Sequence, residues 1–155
     1  MRPVVIGVGN RWRGDDGVGP AVIDLLRADG RLDTTVADLA ELDGEATRLV
    51  DAMAHRSLAV VVDAMRSGAA PGTVRSLVAG EVDLPTTTSL SSHGAGVAHA
   101  AGLAAALDRM PDRLVVIGVE ISATADEGPL SAEVTAALPE AAARVVEEVR
   151  RHVSR

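Results

Sequence analysis

The hydrophobic pattern alternates between apolar runs of strand length and segments whose apolar residues recur at helical spacing. Five runs predict strands, and they cover residues 2–8, 33–39, 57–65, 73–78 and 113–121. This alternation is typical of an α/β domain in which helices connect parallel strands. The connection between the third and fourth runs is short and contains the turn signal Pro71-Gly72, which favours an antiparallel strand. We therefore expect one domain over residues 1–155, with a mostly parallel five-stranded sheet and one antiparallel edge strand.

Four segments between and after these runs have the spacing of amphipathic helices. Gly30 is predicted to end the first helix, and Pro139 is predicted to break or restart the last one, from Ser131 to Val153. The third helix is alanine-rich, spans residues 91–110 and has a possible serine cap at Ser91 or Ser92. The predicted buried faces are Val18, Val22, Leu25 and Leu26; Ala46, Leu49, Val50 and Met53; Val97, Ala101, Ala104 and Leu107; and Val145, Val149 and Val153.

Composition and charge exclude several classes of function. The net charge of −7 and the absence of Phe and Tyr weigh against nucleic-acid binding, which needs phosphate neutralisation and stacking surfaces. No cysteine is present, so disulfides, thiol nucleophiles and thiolate metal sites are excluded. The N-terminal apolar stretch is too short and too glycine-rich for a signal peptide, and no run is long enough to span a membrane. We expect a cytoplasmic, monomeric protein.

The sequence GVGNRWRGDDGVG, residues 7–19, forms a glycine-rich loop directly after the first predicted strand. It fails the dinucleotide fingerprint because Trp12 stands where the third glycine is needed. It also fails the P-loop pattern, because Asp15 and Asp16 stand where lysine and a hydroxyl residue are needed. Two carboxylates at this position would repel a phosphate unless a cation intervened.

One aspartate of this pair has an ordinary explanation, since an acidic side chain at a helix start accepts backbone N–H bonds. Asp15 is expected to cap the following helix or to steady the loop. Asp16 then remains as a metal ligand or a general base. The nearby Arg11 and Arg13 are expected to keep the two acids ionised or to meet a substrate carboxylate.

Polar side chains also follow other predicted strands, where α/β domains bind their ligands. Asp63 closes the third strand and His93 begins the third helix, although a loop cap and a structural histidine are the plain alternatives. Together with Asp16 they would lie at one edge of the sheet. Two carboxylates and one imidazole suit a divalent transition metal such as zinc or nickel, with coordination positions left open for substrate.

The sequence gives weaker indications of function for the remaining polar residues. Glu120 ends the last strand and is either a partner of a metal ligand or a solvent-facing residue. His99 is predicted to point away from His93, and His55 and His152 to lie at the surface. The zinc-protease HExxH and the GxSxG elbow are absent. A serine triad with Ser91 or Ser92 is disfavoured, because serines next to His93 in sequence would be badly placed for it.

The glycine loop, the segment VVVDAMRSGAAPGTV and the segment SSHGAGVAHAAGL resemble, in order and spacing, the hydrogenase maturation endopeptidases. The resemblance runs from about residue 3 to 121. It implies a three-layer fold, with a twisted sheet sandwiched by helices. It also implies an endopeptidase that removes the C-terminal extension of a [NiFe]-hydrogenase large-subunit precursor after nickel insertion.

By the same resemblance, the residues that contact the metal fall on Asp16, Asp63 and His93. Nickel would arrive with the precursor rather than stay bound as a permanent cofactor. The lead hypothesis is nickel-dependent hydrolysis with Asp16 as general base and Asp63 as the second choice, and Trp12 is a candidate contact for the precursor. A binding module that checks the metal without cutting, and a small-molecule hydrolase or nucleotide binder on a similar sheet, are the alternatives.

Overall fold

The computed structural model describes residues 1–84, 96–122 and 128–155. Its five strands are β1 (Val4–Val8), β2 (Asp38–Leu42), β3 (Ala59–Met65), β4 (Val74–Val78) and β5 (Leu114–Glu120). Its helices are α1 (Val18–Asp29), α2 (Ala46–Met53), α3 (Gly96–Ala106) and α4 (Ala132–Val153), with a 3-10 turn at Gly14–Gly17. None of the helices in these ranges is long and apolar enough to cross a bilayer.

The strands form one sheet in the order β2-β1-β3-β5-β4. The pairs β1–β2, β1–β3 and β3–β5 are parallel, and only β4 runs antiparallel, against β5. The predicted mixed sheet with an antiparallel edge strand is therefore confirmed. Although β4 follows β3 directly in the chain, it lies beyond β5, so the later strand β5 inserts between them.

Helices cover both faces of the sheet, which confirms the three-layer arrangement. On one face, apolar side chains of α1 and α4 pack against the strands around Val60, Val62 and Ile117. On the other face, α2 and α3 pack around Ile6, Val61 and Val116. Because β3 and β5 are covered on both sides, their sequences are continuous apolar runs, as buried parallel strands require.

Glycines let α1 lie directly on the sheet. A Cβ atom at Gly19 would lie 2.7 Å from the carbonyl oxygen of Val62, and one at Gly7 would lie 2.5 Å from the carbonyl oxygen of Gly19. Neither position can carry a side chain without moving backbone. This close approach holds the start of α1, and the turn before it, against β1 and β3.

Two predicted boundaries are wrong for local reasons. The second strand begins at Asp38 rather than at residue 33, because the Asp33 carboxylate accepts bonds from the Thr35 amide at 2.8 Å and hydroxyl at 2.7 Å. These bonds hold residues 33–37 in a turn. Helix α4 continues through Pro139 without a break. Pro139 is exposed, so water can satisfy the carbonyl that loses its helical partner.

The predicted buried faces are correct for most positions. Gly30 ends α1 in the left-handed conformation, with φ of 67°, as predicted. The buried face of α3 contains Ala100 rather than Ala101, together with Val97 and Ala104. Leu107 and Val153 are exposed because each lies at or beyond the last turn of its helix, where the chain leaves the sheet.

Candidate functional site

Asp16 and Asp63 lie together at the carboxyl edge of the sheet. Asp16 belongs to the 3-10 turn that follows β1, and Asp63 lies near the end of β3. Strands β1 and β3 are neighbours, with Gly7 paired to Val62, so both carboxyl groups are delivered to one edge. The negative charge of Asp16 acts directly on the titration of Asp63. The predicted meeting of these two acids is confirmed.

The glycine loop fixes the position of Asp16. One oxygen of its carboxylate, Oδ2, accepts the backbone N–H of Asn10 at 2.9 Å. Gly9 has φ of 138°, and a Cβ atom there would collide with the carbonyl oxygen of Asp16. Only glycine permits this conformation, in which the backbone of Asp16 packs against the start of the loop at Gly9. Asp16 itself is partly buried.

Asp63 is held in an environment that disfavours its charge. Removal from water is the largest cause and the neighbouring Asp16 charge the second, and together they raise the pKa of Asp63 to about 8. The N–H of Ala64 opposes this shift. Asp63 therefore carries a proton near neutral pH, beside a second carboxyl group. Such a pair can exchange a proton, and a cation would be attracted to both oxygens.

The third predicted ligand, His93, and the possible caps Ser91 and Ser92 lie outside the described residues. Within residues 1–84, 96–122 and 128–155, no cluster of three or more His, Asp or Glu side chains has the geometry of a metal site. Asp16 and Asp63 are thus the part of the predicted ligand set that the structure brings together. Assignment of His93 as their partner stays a prediction.

Asp15 has a different role from its neighbour. Its carboxylate is completely buried and accepts bonds from the Ser131 amide at 2.6 Å and from the Ser131 hydroxyl at 2.8 Å. Ser131 is the N-cap of α4, so the predicted capping of α1 is wrong and Gly17 occupies that position instead. The prediction that Asp15 steadies the loop is confirmed. Sequence reasoning missed Ser131 because nothing local links residues so far apart.

Glu120 is a structural acid rather than a solvent-facing one. It is 2 % exposed, and its carboxylate accepts the Ser67 amide at 2.9 Å and also the Ser67 hydroxyl. The expected alternative of a solvent-facing residue is therefore wrong. The bond fastens the loop that leaves β3 to the end of β5. A serine in a loop gives no sequence signal for such a partner.

The two arginines of the glycine loop differ in their contacts. Arg11 forms ion pairs with Glu41 at 2.6 Å and Asp24 at 3.2 Å, which hold its pKa above the usual value. Its charge is engaged away from Asp15 and Asp16, so the expected support of those acids by Arg11 is wrong. Arg13 makes no ion pair with any residue in the described ranges. Between them, Trp12 is 80 % exposed.

Within the described residues, none of the other histidines forms a metal-binding group with Asp16 and Asp63. His55 and His99 are exposed, and His152 is partly buried. His152 lines a cavity of about 630 Å³ with Ser57 and Leu114. Ser57 precedes β3 and Leu114 begins β5, so this cavity lies at the opposite edge of the sheet.

Comparison with known protein families gives one match. The family model described as hydrogenase maturation protease matches residues 26–148. The match includes Asp63 and His93, and Asp16 lies before it. A curated relative, the hydrogenase expression/formation protein HupD of Thiocapsa roseopersicina, is 30% identical over 118 residues, which cover 76% of this chain and 53% of that protein. The chain therefore matches about half the length of that relative.

Solved structures share the whole fold. The hydrogenase maturating endopeptidase HybD from E. coli superposes with a TM-score of 0.79 and 28% identity, covering 97% of this chain and 93% of that chain. An endopeptidase from Escherichia coli solved in solution has a TM-score of 0.84 and 25% identity, with the same coverage. The [NiFe] hydrogenase maturation protease HybD from Thermococcus kodakarensis has a TM-score of 0.71, 23% identity and coverage of 96% and 99%, which supports the fold.

Proposed function

Because this chain belongs to the hydrogenase maturation protease family, we propose that it is an endopeptidase acting on a [NiFe]-hydrogenase large-subunit precursor. It removes the C-terminal extension of the precursor by hydrolysis of one peptide bond. The observation that carries this proposal is the pair Asp16 and Asp63 at the carboxyl edge of the sheet, with a proton on one of them. Such a pair provides a carboxylate that can take a proton from water and return it to the departing amide nitrogen.

Nickel belongs to the substrate in this proposal. The precursor brings the ion, and Asp16 and Asp63 complete its coordination, with His93 as the expected third ligand. Carboxylate and imidazole ligands suit nickel(II) and leave positions open for the substrate. Because a bound cation favours deprotonated ligands, nickel binding would release the proton of Asp63. The nickel of the precursor would thus supply the positive charge that offsets the neighbouring carboxylates of Asp16 and Asp63.

Hydrolysis then follows from the position of the acids. Asp16 accepts a proton from a water molecule, whose oxygen attacks the scissile carbonyl carbon. The bond between this carbon and the amide nitrogen breaks, and the proton is delivered to the departing nitrogen. The nickel ion polarises the carbonyl or activates the water. The Asn10 amide keeps the Asp16 carboxylate in place through one oxygen and leaves the other oxygen for this work.

The test is a processing assay with two precursors that differ only in nickel. Purified protein is incubated with nickel-loaded and nickel-free large-subunit precursor, and the precursor mass is measured over time. We expect shortening of the loaded precursor only. Equal cleavage of both forms would overturn the role of nickel. Association without any loss of mass would overturn the endopeptidase and favour a binding module that checks the metal.

We further propose that the protein works as a cytoplasmic monomer. Gel filtration of the purified chain tests the oligomeric state, and fractionation of cells tests the location. A dimer in solution, or recovery with the membrane fraction, would contradict these parts of the proposal without touching the reaction.

A further inference from the structure

Residues 10–13, here called the rim loop, expose an aromatic side chain beside the site. Trp12 is the only tryptophan in a chain without Phe or Tyr, and it is 80 % exposed. An indole in water contributes nothing to the core. Trp and Arg are the residue types that dominate binding energy at protein interfaces, since each combines a large contact area with a polar group. Here Trp12 stands next to Arg13.

The backbone of the rim loop is held in one conformation. The Asn10 side chain accepts the Trp12 amide at 2.9 Å, and the Asn10 carbonyl accepts the Arg13 amide at 3.1 Å. The Asn10 amide in turn donates to the Asp16 carboxylate. Trp12 is therefore presented by a turn that is bonded directly to the proposed catalytic base. A surface that is already ordered loses little conformational entropy when a partner binds.

Within the rim loop, Arg13 is the position that favours contact with a carboxylate of a partner. Arg11 is neutralised by Asp24 and Glu41, whereas Arg13 has no ion pair with the described residues. The protein as a whole carries a net charge of −7. An unpaired arginine on such a surface attracts a carboxylate of a partner and orients it.

We propose that Trp12 and Arg13 form a docking surface for the precursor segment that flanks the scissile bond. This segment places an apolar side chain on the Trp12 indole and a carboxylate against the Arg13 guanidinium. The inference rests on the proposed function, because it takes the precursor as the partner. Recognition of the precursor then depends on Trp12 and Arg13 in addition to the residues that contact the metal.

The kinetic test separates docking from chemistry. Trp12→Ala and Arg13→Ala should each raise the KM for nickel-loaded precursor about tenfold, with kcat within about twofold of the original protein. Trp12→Phe and Arg13→Lys should recover part of the loss. Leu107→Ala, at an exposed apolar residue near the opposite edge, and Arg75→Ala, on the edge strand β4, are the matched controls and should leave KM unchanged. A KM for Trp12→Ala equal to that of the original protein would overturn the proposal.

A spectroscopic test needs no cleavage. Because Trp12 is the only tryptophan, protein grown with fluorotryptophan has one fluorine resonance from this residue. We expect unlabelled nickel-loaded precursor to shift or broaden this resonance. An unchanged resonance in a sample where gel filtration shows the complex would overturn the docking surface. If precursor binds and shifts the resonance but is not shortened, the endopeptidase fails while the docking surface stands.

Discussion

Two pairs of acids lie at the same edge of the sheet and differ in the donors that each receives. Asp15 and Glu120, the structural pair, are buried, and each accepts both the amide and the hydroxyl of one serine. Asp16 and Asp63, the site pair, lie beside each other; among the described residues Asp16 accepts the N–H of Asn10, and the N–H of Ala64 lowers the pKa of Asp63. The structural pair connects distant segments. The site pair has fewer hydrogen-bond donors among the residues that the structure describes, and a charge repulsion that a cation would relieve.

The adjacent aspartates of one sequence motif thus belong to two different pairs. Adjacent residues Asp15 and Asp16 point to opposite surroundings because the 3-10 turn directs one carboxylate toward α4 and the other toward β3. Full hydrogen bonding makes a buried carboxylate part of the fold. Incomplete hydrogen bonding leaves it costly and reactive, which is common where chemistry occurs. Substitutions in each pair should therefore give opposite results for stability and for processing.

The largest effect is expected from Asp16→Asn. The amide can still accept the Asn10 N–H, so the fold is retained, but it neither takes a proton nor binds nickel as a carboxylate does. Processing of nickel-loaded precursor should fall about a hundredfold or more. Intact mass over time measures the rate, and circular dichroism checks the fold. Processing at the original rate would mean that Asp16 is no catalytic residue.

Asp15→Ala should destabilise the protein by about 2–4 kcal/mol, since the amide and the hydroxyl of Ser131 at the start of α4 lose their acceptor, the completely buried Asp15 carboxylate. Urea denaturation measures the free energy of unfolding. Asp29→Ala removes an exposed carboxylate that accepts bonds from Arg31 and should cost less than about 1 kcal/mol. Equal losses in the two variants would contradict the structural role of Asp15.

Asp63→Asn should stabilise the protein in a pH-dependent way. In the unfolded chain Asp63 ionises near its ordinary pKa of 3.8, whereas in the folded protein it keeps its proton up to about pH 8. The folded state then binds more protons between these values, so the stability of the original protein falls as the pH rises through this window. The gain from Asp63→Asn should grow from near zero at about pH 4 to several kcal/mol at about pH 8, because each unit of pKa shift is worth about 1.4 kcal/mol.

Urea denaturation of Asp63→Asn and the original protein at several pH values measures this gain. Asp51→Asn, at an exposed residue on α2, serves as the control and should change the free energy of unfolding by less than about 1 kcal/mol at each pH. A gain for Asp63→Asn that stays constant with pH would show that the proton is not held in the folded state.

The smallest effect is expected from Ser67→Ala. The variant loses the hydroxyl bond to Glu120 and keeps the amide bond, so the free energy of unfolding should drop by about 1–2 kcal/mol. Ser76→Ala removes a hydroxyl whose partner is the exposed Arg144 and should cost less than about 0.5 kcal/mol. Thermal unfolding compares the two. No difference between them would show that the Glu120 contact adds nothing to stability.

Most helices and strands, and the sheet edge where Asp16 and Asp63 meet, could be predicted from sequence patterns alone. Strands β3 and β5 could be predicted from their continuous apolar runs, because strands buried on both faces need no polar positions. The end of α1 at Gly30 could be predicted because a left-handed helix cap needs a residue that tolerates positive φ. Asp16 and Asp63 could be placed together because parallel strands end at one edge. The His93 part of the same reasoning stays a prediction.

The hydrogen-bond partners of the polar groups could not be predicted, because they depend on how distant segments pack in three dimensions. Asp15 meets Ser131, Glu120 meets Ser67 and Arg11 meets Glu41, and none of these pairs is close in sequence. The placement of β4 beyond β5 has the same origin, because strand order depends on packing across the whole sheet. The local hydrophobic pattern of a sequence predicts where helices and strands form. The number of hydrogen bonds that a buried carboxylate accepts depends on donors that folding brings from elsewhere. In the described residues this number separates the structural pair, Asp15 and Glu120, from the site pair, Asp16 and Asp63.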